Sequence, residues 1–316
     1  MPVSRREFLI RLAASGAVVA LPGFPNASAG ILYPPIDLSY FDNPLHHGGW
    51  DLKIGYAAIT WNEHDHQAIG DISSLGYAGI QIRANVLKEF PDPHELRDLL
   101  AQHHLKFVAL SSGNAPLDPA QRQSAIDTHV EHAKYLHEAG GSYLQLVGGS
   151  IKGAAYTAAD YKYEGELLAE IGKHIAEHGV QLGFHNHMNT IGQTPEAVDA
   201  ILAAADPNYL KLELDVAHYL QGGGDPAAAI HKYARRILFL HLKDVKPASN
   251  KNGYEFVELG QGRVNLPAVV DALKAIHFRG WAIVELDAEP AGADRTQKES
   301  AEMSKNYLEQ KLGIHV

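Results

Sequence analysis

Four stretches in the second half of the chain place an imidazole or a carboxylate at the end of a predicted strand. Each stretch is a short apolar run followed by His, Asp or Glu, and the four candidates are His185, Asp215, His241 and Glu285. In a parallel α/β protein the carboxyl ends of neighbouring strands meet at one face, so these side chains are expected to converge. Two imidazoles and two carboxylates suit Mn²⁺, Co²⁺, Zn²⁺, Mg²⁺ or Fe²⁺, with open positions for water or substrate. The sequence therefore predicts a divalent metal site.

The stretch around Asp215 shows the strand pattern most clearly. Leucine and valine alternate with polar residues over 210–216, and the run Gly222-Gly223-Gly224 follows shortly afterwards. Asp215 and His218 are therefore predicted at the end of a strand and just beyond it. The alternative for Asp215 is a cap on the following helix. Glu213 is predicted to be structural, either pointing away from the ligands or lying one layer below Asp215.

Eight strand–helix units must position these residues. The alternation runs over roughly 260 residues without a break in composition. It predicts a parallel sheet, and eight units favour a single-domain (β/α)8 TIM barrel over 52–316. An open doubly wound sheet is the alternative, but Thr60-Trp61-Asn62-Glu63 after the first strand is not its glycine fingerprint. The predicted strands are 53–60, 79–83, 106–111, 143–147, 180–187, the stretch from 210, 237–243 and 280–286, with a loop over 244–264.

The first 29 residues have the features of a targeting segment. A twin-arginine pattern, Ser4-Arg5-Arg6-Glu7-Phe8-Leu9-Ile10, precedes an apolar stretch, and Ala27-Ser28-Ala29 is a small-x-small cleavage site. The apolar stretch is shorter than the roughly 20 residues of a membrane span. Residues 1–29 are therefore predicted to be a twin-arginine signal peptide, 30–51 an N-terminal arm, and the mature protein periplasmic without stable membrane insertion.

Charge and cysteine content narrow the class of protein. The net charge is −10, and removal of 1–29 leaves 24 Lys and Arg against 36 Asp and Glu, a balance of −12. A net acidic chain is a poor general binder of nucleic acid, so no nucleic-acid partner is expected. The chain has no cysteine and 19 histidines. Disulfides and zinc–thiolate sites are excluded, and imidazole and carboxylate remain as metal ligands.

The same strand ends resemble those of the xylose isomerase-like TIM-barrel superfamily over roughly residues 52–312. Asp215 is followed three residues later by His218, strand seven ends His241-Leu242-Lys243-Asp244, strand eight ends Val284-Glu285, and the Gly260–Asn265 segment resembles the family's G-x-G turn. Many members end strand five with a metal-binding glutamate. This chain resembles the branch with His185-Asn186-His187 there, which puts His185 at the glutamate's position. No acid follows His187, so a two-glutamate epimerase is disfavoured.

The resemblance implies a TIM barrel that moves a proton next to a sugar carbonyl. A divalent metal (Mn, Co, Zn or Mg) would stabilise the developing enediolate as a Lewis acid. His187, His218 and Lys243 are the catalytic candidates by position, and His187 is alternatively a metal ligand or a substrate contact. Lys243 is alternatively a cation that holds a substrate oxygen, or the partner of Asp244 or Glu285 in a salt bridge.

The implied function is a metal-dependent isomerase or epimerase of a sugar or keto-sugar. The alternative is a metal-dependent lyase, either a keto-inositol-type dehydratase or a 3-keto-glycoside-cleaving enzyme. A metal-free sugar-binding barrel is a further hypothesis, and a DNA-repair enzyme is disfavoured by the charge and the signal. The partner is a small carbohydrate, and the sequence leaves the oligomeric state open, a homo-oligomer included.

The first four predicted strands offer candidates for binding the sugar. These are Trp61, Glu63, Arg83 and Gln145, with Gln81 and Ser111 beside them. Trp61 is expected to stack on a sugar face. Ordinary packing at the barrel mouth is the alternative for all of them.

Overall fold

The computed structural model describes residues 51–150, 155–288 and 294–316. The predicted signal peptide, 1–29, and residues 30–50 of the predicted arm lie outside the described residues. Within those ranges no helix combines the length and the apolar character that crossing a membrane requires.

Eight parallel strands close into a barrel, as predicted. They are β1 Asp51–Ala57, β2 Gly79–Arg83, β3 Lys106–Asn114, β4 Tyr143–Val147, β5 Gln181–His185, β6 Leu210–Asp215, β7 Ile237–Leu242 and β10 Arg279–Val284. The order around the barrel is β1-β10-β7-β6-β5-β4-β3-β2. Each strand pairs with its neighbour in the chain, and β10 closes the sheet against β1. Strands five to eight in chain order are therefore adjacent, which brings their ends together.

A helix follows every barrel strand. The helices are α1 Asp65–Ser74, α2 Val86–Glu89, α3 Pro93–Gln102, α4 Arg122–Glu138, α5 Ala158–Ala176, α6 Pro195–Ala204, α7 Val216–Gln221, α8 Pro226–Lys232, α9 Leu266–Ala275 and α10 Gln297–Leu312. Thr157 and Thr296 begin α5 and α10 with capping boxes, and prolines lie in the first turn of α3, α6, α8 and α9. These caps and prolines explain why the helices begin at these residues.

Alternation along β6 decides which side chains enter the barrel. Leu210, Leu212 and Leu214 are fully buried and belong to the main apolar core. Glu213 and Asp215 lie on the opposite face, two residues apart, and both are fully buried. The apolar face of β6 thus fixes the strand while its polar face is turned into the barrel.

The segment after β7 is the main departure from the predicted elements. The predicted loop over 244–264 contains an antiparallel hairpin, formed by β8 Asp244–Pro247 and β9 Tyr254–Val257. Four-residue strands with charged and proline positions give little periodic signal, so the sequence indicated a loop.

A buried aspartate organises the residues that follow this hairpin, which we call the Asp244 turn (Asp244 and 258–264). Oδ1 of Asp244 accepts hydrogen bonds from the amides of Val245 and Val264, and Oδ2 accepts from those of Gly260 and Gly262. A Cβ on Gly262 would lie 2.2 Å from Oδ1 of Asp244. Only glycine lets the backbone approach the carboxylate this closely, which explains the G-x-G motif.

A second buried carboxyl group supports the loops beyond β4 and β5. Glu164 on α5 has no exposed surface, and its Oε1 accepts a hydrogen bond of 3.0 Å from the amide of Gly149. The carbonyl of Gly149 in turn accepts from the amide of Ile191 at 2.8 Å. Burial raises the pKa of Glu164 to about 8, so the group is mostly protonated at neutral pH.

Candidate active site

The four predicted metal ligands lie together in the structure. His185, Asp215, His241 and Glu285 each offer a ligand atom, and these atoms all lie within 4.8 Å of one another. All four residues are buried, Glu285 being the most accessible at 7%. The register places Asp215 opposite His241, and the amide of Glu285 donates to the carbonyl of Leu242. We call this set the ligand cluster.

Three members of the ligand cluster have a buried polar atom without a hydrogen-bond partner in the described parts of the chain. These atoms are Nδ1 of His185, Oδ2 of Asp215 and Nδ1 of His241. An unsatisfied buried polar group costs about 1–3 kcal/mol, and three of them in one place call for a ligand. The donor set, two imidazoles and two carboxylates, fits a divalent cation.

His241 is held so that its free nitrogen faces the cluster. Its Nε2 lies 2.8 Å from Oε1 of Gln81 and 2.6 Å from Oε1 of Glu213, and its Nδ1 lies 3.1 Å from Oε2 of Glu285. The two acceptors hold the proton on Nε2 and leave the lone pair on Nδ1 for a metal. Burial lowers the pKa of His241, but the negative charges of Glu213 and Glu285 outweigh it and raise the pKa well above its usual value, so a cation that binds at Nδ1 would take the place of a proton there. The same negative field attracts a cation.

Glu213 lies one layer below Asp215 and contacts two ligands of the cluster. Besides His241, its Oε1 lies 3.7 Å from Nδ1 of His185. Burial raises the pKa of Glu213 to about 7. Glu213 was predicted either to point away from the ligands or to lie one layer below Asp215, and the second position is observed. There its carboxylate orients His241 and His185.

Lys243 is a buried cation surrounded by carboxylates. Its Nζ lies 2.8 Å from Oε2 of Glu285, 2.6 Å from Oδ1 of Asp287 and 3.7 Å from Oδ2 of Asp215. Asp244, the other predicted partner, is instead bonded to four backbone amides. Burial lowers the pKa of Lys243, but Asp287 and Glu285 outweigh it and raise the pKa above its usual value. Lys243 therefore stays charged and is a poor base.

His218 has no lone pair to offer a substrate. The amide of Met188 donates to its Nδ1 at 3.2 Å, and Nζ of Lys243 lies 3.4 Å from its Nε2. Burial and the nearby charge of Lys243 lower the pKa of His218 well below its usual value, so the ring is neutral. A neutral imidazole has a single lone pair, and two donors already compete for it.

His187 is the candidate whose ring has a lone pair that accepts no hydrogen bond from the described residues. Its Nδ1 lies 2.7 Å from the carbonyl oxygen of Met188, which accepts the hydrogen bond and so fixes the proton on Nδ1. The lone pair of the half-buried ring is therefore on Nε2. The ring centroid lies 3.9 Å from that of His218 and 5.4 Å from that of His185. Of the three predicted catalytic residues, His187 is therefore the one whose geometry best suits a base, and its catalytic role stays a prediction.

His185, His187 and His218 form a second compact set of potential ligand atoms. The ammonium of Lys243, 3.4 Å from Nε2 of His218, would repel a second cation there. His218 and His187 also commit their Nδ1 atoms to the backbone of Met188. The mixed ligand cluster is therefore the better metal site.

Two residues at the site were missed by the sequence-based reasoning. The ring of Phe256, from the hairpin, lies 4.2 Å from Nζ of Lys243 and 4.8 Å from the ring of His218. Asp287 bonds Lys243 as described above. Its position two residues after Glu285, on the same face of an extended segment, was a usable signal. Phe256 had none, because its strand was not predicted.

The predicted sugar-binding residues occupy different environments. Trp61 is buried at 1% exposure, packs edge-on against Tyr56, and donates its indole N–H to Oδ2 of Asp71 at 2.9 Å. These contacts use the ring within the core, and a role for Trp61 in sugar binding stays a prediction.

Arg83, Glu63 and Gln145 stay predictions as substrate contacts as well. Nη2 of Arg83 lies 3.6 Å from Oε1 of Glu63, and both side chains are partly exposed. Arg83 follows Gln81 by two residues on β2, so it lies one layer above it on the same face. Gln145 is buried on β4, opposite Ser111 on one side and Gly183 on the other.

Comparison with known proteins identifies the family. The protein family described as "Xylose isomerase-like TIM barrel" matches residues 69–307 of this chain. The chain belongs to this family. The inosose dehydratase of Geobacillus kaustophilus is 28% identical over 302 residues, covering 82% of this chain and 94% of that protein. The resemblance drawn from the strand ends is thereby confirmed at the level of the family.

Solved structures share the fold at lower identity. The crystal structure of the IolI protein with a bound zinc atom superposes with a TM-score of 0.68 at 20% identity, covering 82% of this chain and 97% of that one. L-ribulose 3-epimerase superposes with a TM-score of 0.67 at 16% identity, covering 83% and 95%. At these identities the likeness establishes the barrel alone.

Proposed function

We propose that the protein is a metal-dependent lyase that removes a proton next to the carbonyl of a keto-sugar or keto-cyclitol and expels the oxygen substituent on the following carbon. The observation that carries this is the pairing of one free base, His187, with a buried ligand cluster and a fixed cation, Lys243. The similarity to the inosose dehydratase of Geobacillus kaustophilus supports elimination.

The chain's own residues divide the work of the reaction. A divalent cation held by the ligand cluster would supply Lewis-acid polarisation of the substrate carbonyl. Nε2 of His187 takes the α-proton, a contribution worth roughly 10²–10⁴ in rate. Nζ of Lys243 stabilises negative charge as it develops on the neighbouring oxygen. Phe256 covers Lys243 and His218 and limits the access of water.

The bond changes balance without a redox partner. The electrons of the α-C–H bond become a carbon–carbon double bond, and the β-carbon–oxygen bond breaks. The departing oxygen takes up one proton and leaves as water or as an alcohol. His187, protonated in the first step, is the nearest source of that proton.

Isomerisation, the leading hypothesis from the sequence, is the second candidate. One base that returns its proton to the former carbonyl carbon, while the proton of the α-hydroxyl passes to the former carbonyl oxygen, isomerises a sugar with the same residues. Two-base epimerisation is less well supported, because Met188 and Asn189 follow His187 where a second carboxylate would be needed.

The first test is turnover in D₂O of 2-keto-myo-inositol and methyl 3-keto-glucoside by the metal-loaded mature protein, followed by NMR. Deuterium at the α-carbon reports proton abstraction, an unsaturated product reports elimination, and a new saturated isomer reports isomerisation. His187→Gln is expected to lower exchange at least 100-fold. His231→Gln, which changes an exposed histidine on α8, is the matched control. Full exchange in His187→Gln, or none in the wild type on any keto-sugar, would overturn the proposal.

Export to the periplasm is proposed on the twin-arginine pattern alone. Amino-terminal sequencing of the protein from a periplasmic fraction is expected to begin at Gly30. Substitution of both Arg5 and Arg6 by lysine is expected to retain the protein in the cytoplasm; continued export would contradict the proposal.

A further inference from the structure

Strands β2 and β3 form the wall of the barrel that faces the ligand cluster. In the order around the barrel, β2 lies opposite β6 and β3 lies opposite β7. A direct contact joins this wall to the cluster, because Oε1 of Gln81 on β2 lies 2.8 Å from Nε2 of His241. Arg83 follows Gln81 by two residues on the same face, about 6.6 Å nearer the mouth. Ser111 on β3 is the register partner of Arg83, so the two side chains are neighbours on the inner face of the wall.

Ser111 has a hydroxyl proton that no described residue accepts. Nε2 of Gln81 donates to Oγ of Ser111 at 2.8 Å, so this oxygen already acts as an acceptor. Its own proton must point in another direction, and no hydrogen bond to a described residue uses it. The residue is half-buried. Ser111 therefore presents a donor to the open mouth of the barrel.

Arg83 makes no hydrogen bond to any described residue. Its guanidinium group has five N–H donors, and its Nη2 is buried without a hydrogen-bond partner. Its one ion pair in the described chain is with Glu63, whose Oε1 lies 3.6 Å from Nη2, too far for a hydrogen bond. The side chain is 34% exposed, so its other nitrogens are accessible from the mouth. Because unpaired buried donors cost about 1–3 kcal/mol, Arg83 calls for a further partner.

The backbone of Glu63 adopts a conformation that non-glycine residues rarely take. Its φ is 71°, and that of Asn62 before it is 49°. A left-handed conformation costs a glutamate about 1–2 kcal/mol, and such strain is frequent at ligand-binding sites. The side chain is 62% exposed and accepts no hydrogen bond from a described residue. The strained turn thus holds a carboxylate beside the guanidinium of Arg83 while leaving both without a hydrogen bond.

A donor and an acceptor side by side suit hydroxyl groups. A hydroxyl both donates and accepts, whereas an ionised carboxylate only accepts. Arg83 offers donors, Glu63 offers an acceptor, and Ser111 adds a second donor. The opposite charges of Arg83 and Glu63 offset each other, so this side of the mouth has no surplus positive charge to attract an anion.

We propose that Arg83, Glu63 and Ser111 are specificity-determining residues, which bind free hydroxyl groups on the side of the substrate farthest from the ligand cluster. The inference rests on the proposed function, in which the carbonyl of the substrate lies at the ligand cluster. In a cyclitol, the hydroxyl group recognised is the one across the ring from the carbonyl. A phosphate or another substituent at this position is excluded.

Kinetics with deoxy analogues test this assignment. In the metal-loaded mature protein, kcat/KM for 2-keto-myo-inositol is expected to exceed that for its 5-deoxy analogue by about 100-fold, since a site that bonds a hydroxyl rejects a ligand that lacks it. Methyl 3-keto-glucoside is compared with its 6-deoxy analogue in the same way. Arg83→Gln and Glu63→Gln are expected to lower the ratio about tenfold, by weakening only the compound with the hydroxyl. Arg97→Gln and Asp98→Asn, in an exposed ion pair on α3, are the matched controls.

Binding of compounds that cannot react separates this inference from the proposed function. Calorimetry is expected to show myo-inositol and methyl glucoside each binding about tenfold more tightly than its deoxy analogue, with the difference lost in Arg83→Gln. This result without turnover of any keto-sugar would support the assignment and overturn the proposed function.

Three results would overturn the assignment. The first is turnover with a ratio unchanged in Arg83→Gln, which would leave the proposed function standing. The second is wild-type protein that binds each deoxy analogue as tightly as its parent compound. The third is glucuronate that binds more tightly than glucose and more tightly still in Glu63→Gln, because this would show a carboxylate site.

Discussion

The Asp244 turn and the ligand cluster are adjacent regions, each built around an aspartate with no exposed surface. Asp244 accepts four hydrogen bonds from backbone amides, two on each oxygen. Asp215 accepts one from the amide of His218 on Oδ1, and its Oδ2 has no hydrogen-bond partner in the described chain. Burial is equal, but only one carboxylate is satisfied. A fully bonded buried carboxylate needs no further partner, whereas an unsatisfied one calls for an explanation, and the proposed cation supplies one for Asp215.

Replacing aspartate by asparagine at Asp215 and at Asp244 is expected to give the largest difference between the two regions. Asp215→Asn keeps an oxygen for the cap on α7 but removes the charge that holds the cation. We expect loss of bound metal and a fall in activity of about 10³, since a bound metal contributes several kcal/mol to transition-state stabilisation. The melting temperature of the metal-free protein should change little. Elemental analysis and thermal melts measure both, and a variant that retains its metal would contradict the assignment.

Substitution of Lys243 distinguishes an effect on catalysis from an effect on metal binding. In Lys243→Met a positive charge disappears next to Glu285, so a divalent cation should bind more tightly, by about tenfold, while activity falls by about 10²–10³. Competition with a chelator and steady-state rates give the two values. The double variant Lys243→Met with Asp287→Asn restores the balance of charge and controls for an unpaired carboxylate. Weaker metal binding in both variants would show that Lys243 only supports the structure.

Asp244→Asn should damage the fold and leave the metal in place. The amide nitrogen that replaces one oxygen would face two backbone N–H donors, so two hydrogen bonds are lost inside the protein. We expect the free energy of unfolding to fall by about 2–4 kcal/mol, with metal content unchanged in the folded fraction. Denaturant titration measures this. Loss of metal from a variant of normal stability would remove the distinction between the two regions.

Glu164 extends the comparison to a carboxyl group with one partnered oxygen. Its pKa in the folded protein, about 8, lies above its ordinary value of 4.5. Below pH 4.5 the group therefore does not change the free energy of unfolding. As the pH rises from 4.5 towards 8, the free energy of unfolding falls by about 1.4 kcal/mol per pH unit, up to about 5 kcal/mol. Glu164→Gln should reduce the fall in melting temperature between pH 5 and pH 8. An equal fall in both proteins would show that this carboxyl group ionises without cost.

The sequence was sufficient for the barrel and the ligand cluster because both depend on periodic patterns. Apolar runs bounded by glycine and capping residues located the eight strands, and parallel strands necessarily bring their ends together. For Asp215 the helix cap is observed on Oδ1. Its Oδ2 has no hydrogen-bond partner in the described chain, and the site role stays a prediction.

The sequence could not predict the contacts that give chemically similar side chains different roles. His187 and His218 differ only in how each ring meets the backbone of Met188, and no spacing rule encodes that. Phe256 comes from a hairpin whose strands are too short for a periodic signal. The predicted bounds of several elements also differ by one to three residues, since element ends depend on local caps.

The hairpin formed by β8 and β9 has a consequence for engineering. It contributes one ring, Phe256, over Lys243 and His218, while the ligand cluster comes entirely from the barrel strands and their ends. Its tip, around Asn250 to Gly253, is exposed and closed by its own hydrogen bonds. Substrate preference could therefore be altered by exchanging the part of this hairpin beyond Val245 as a cassette, with Asp244 retained and the reaction chemistry inherited from the barrel.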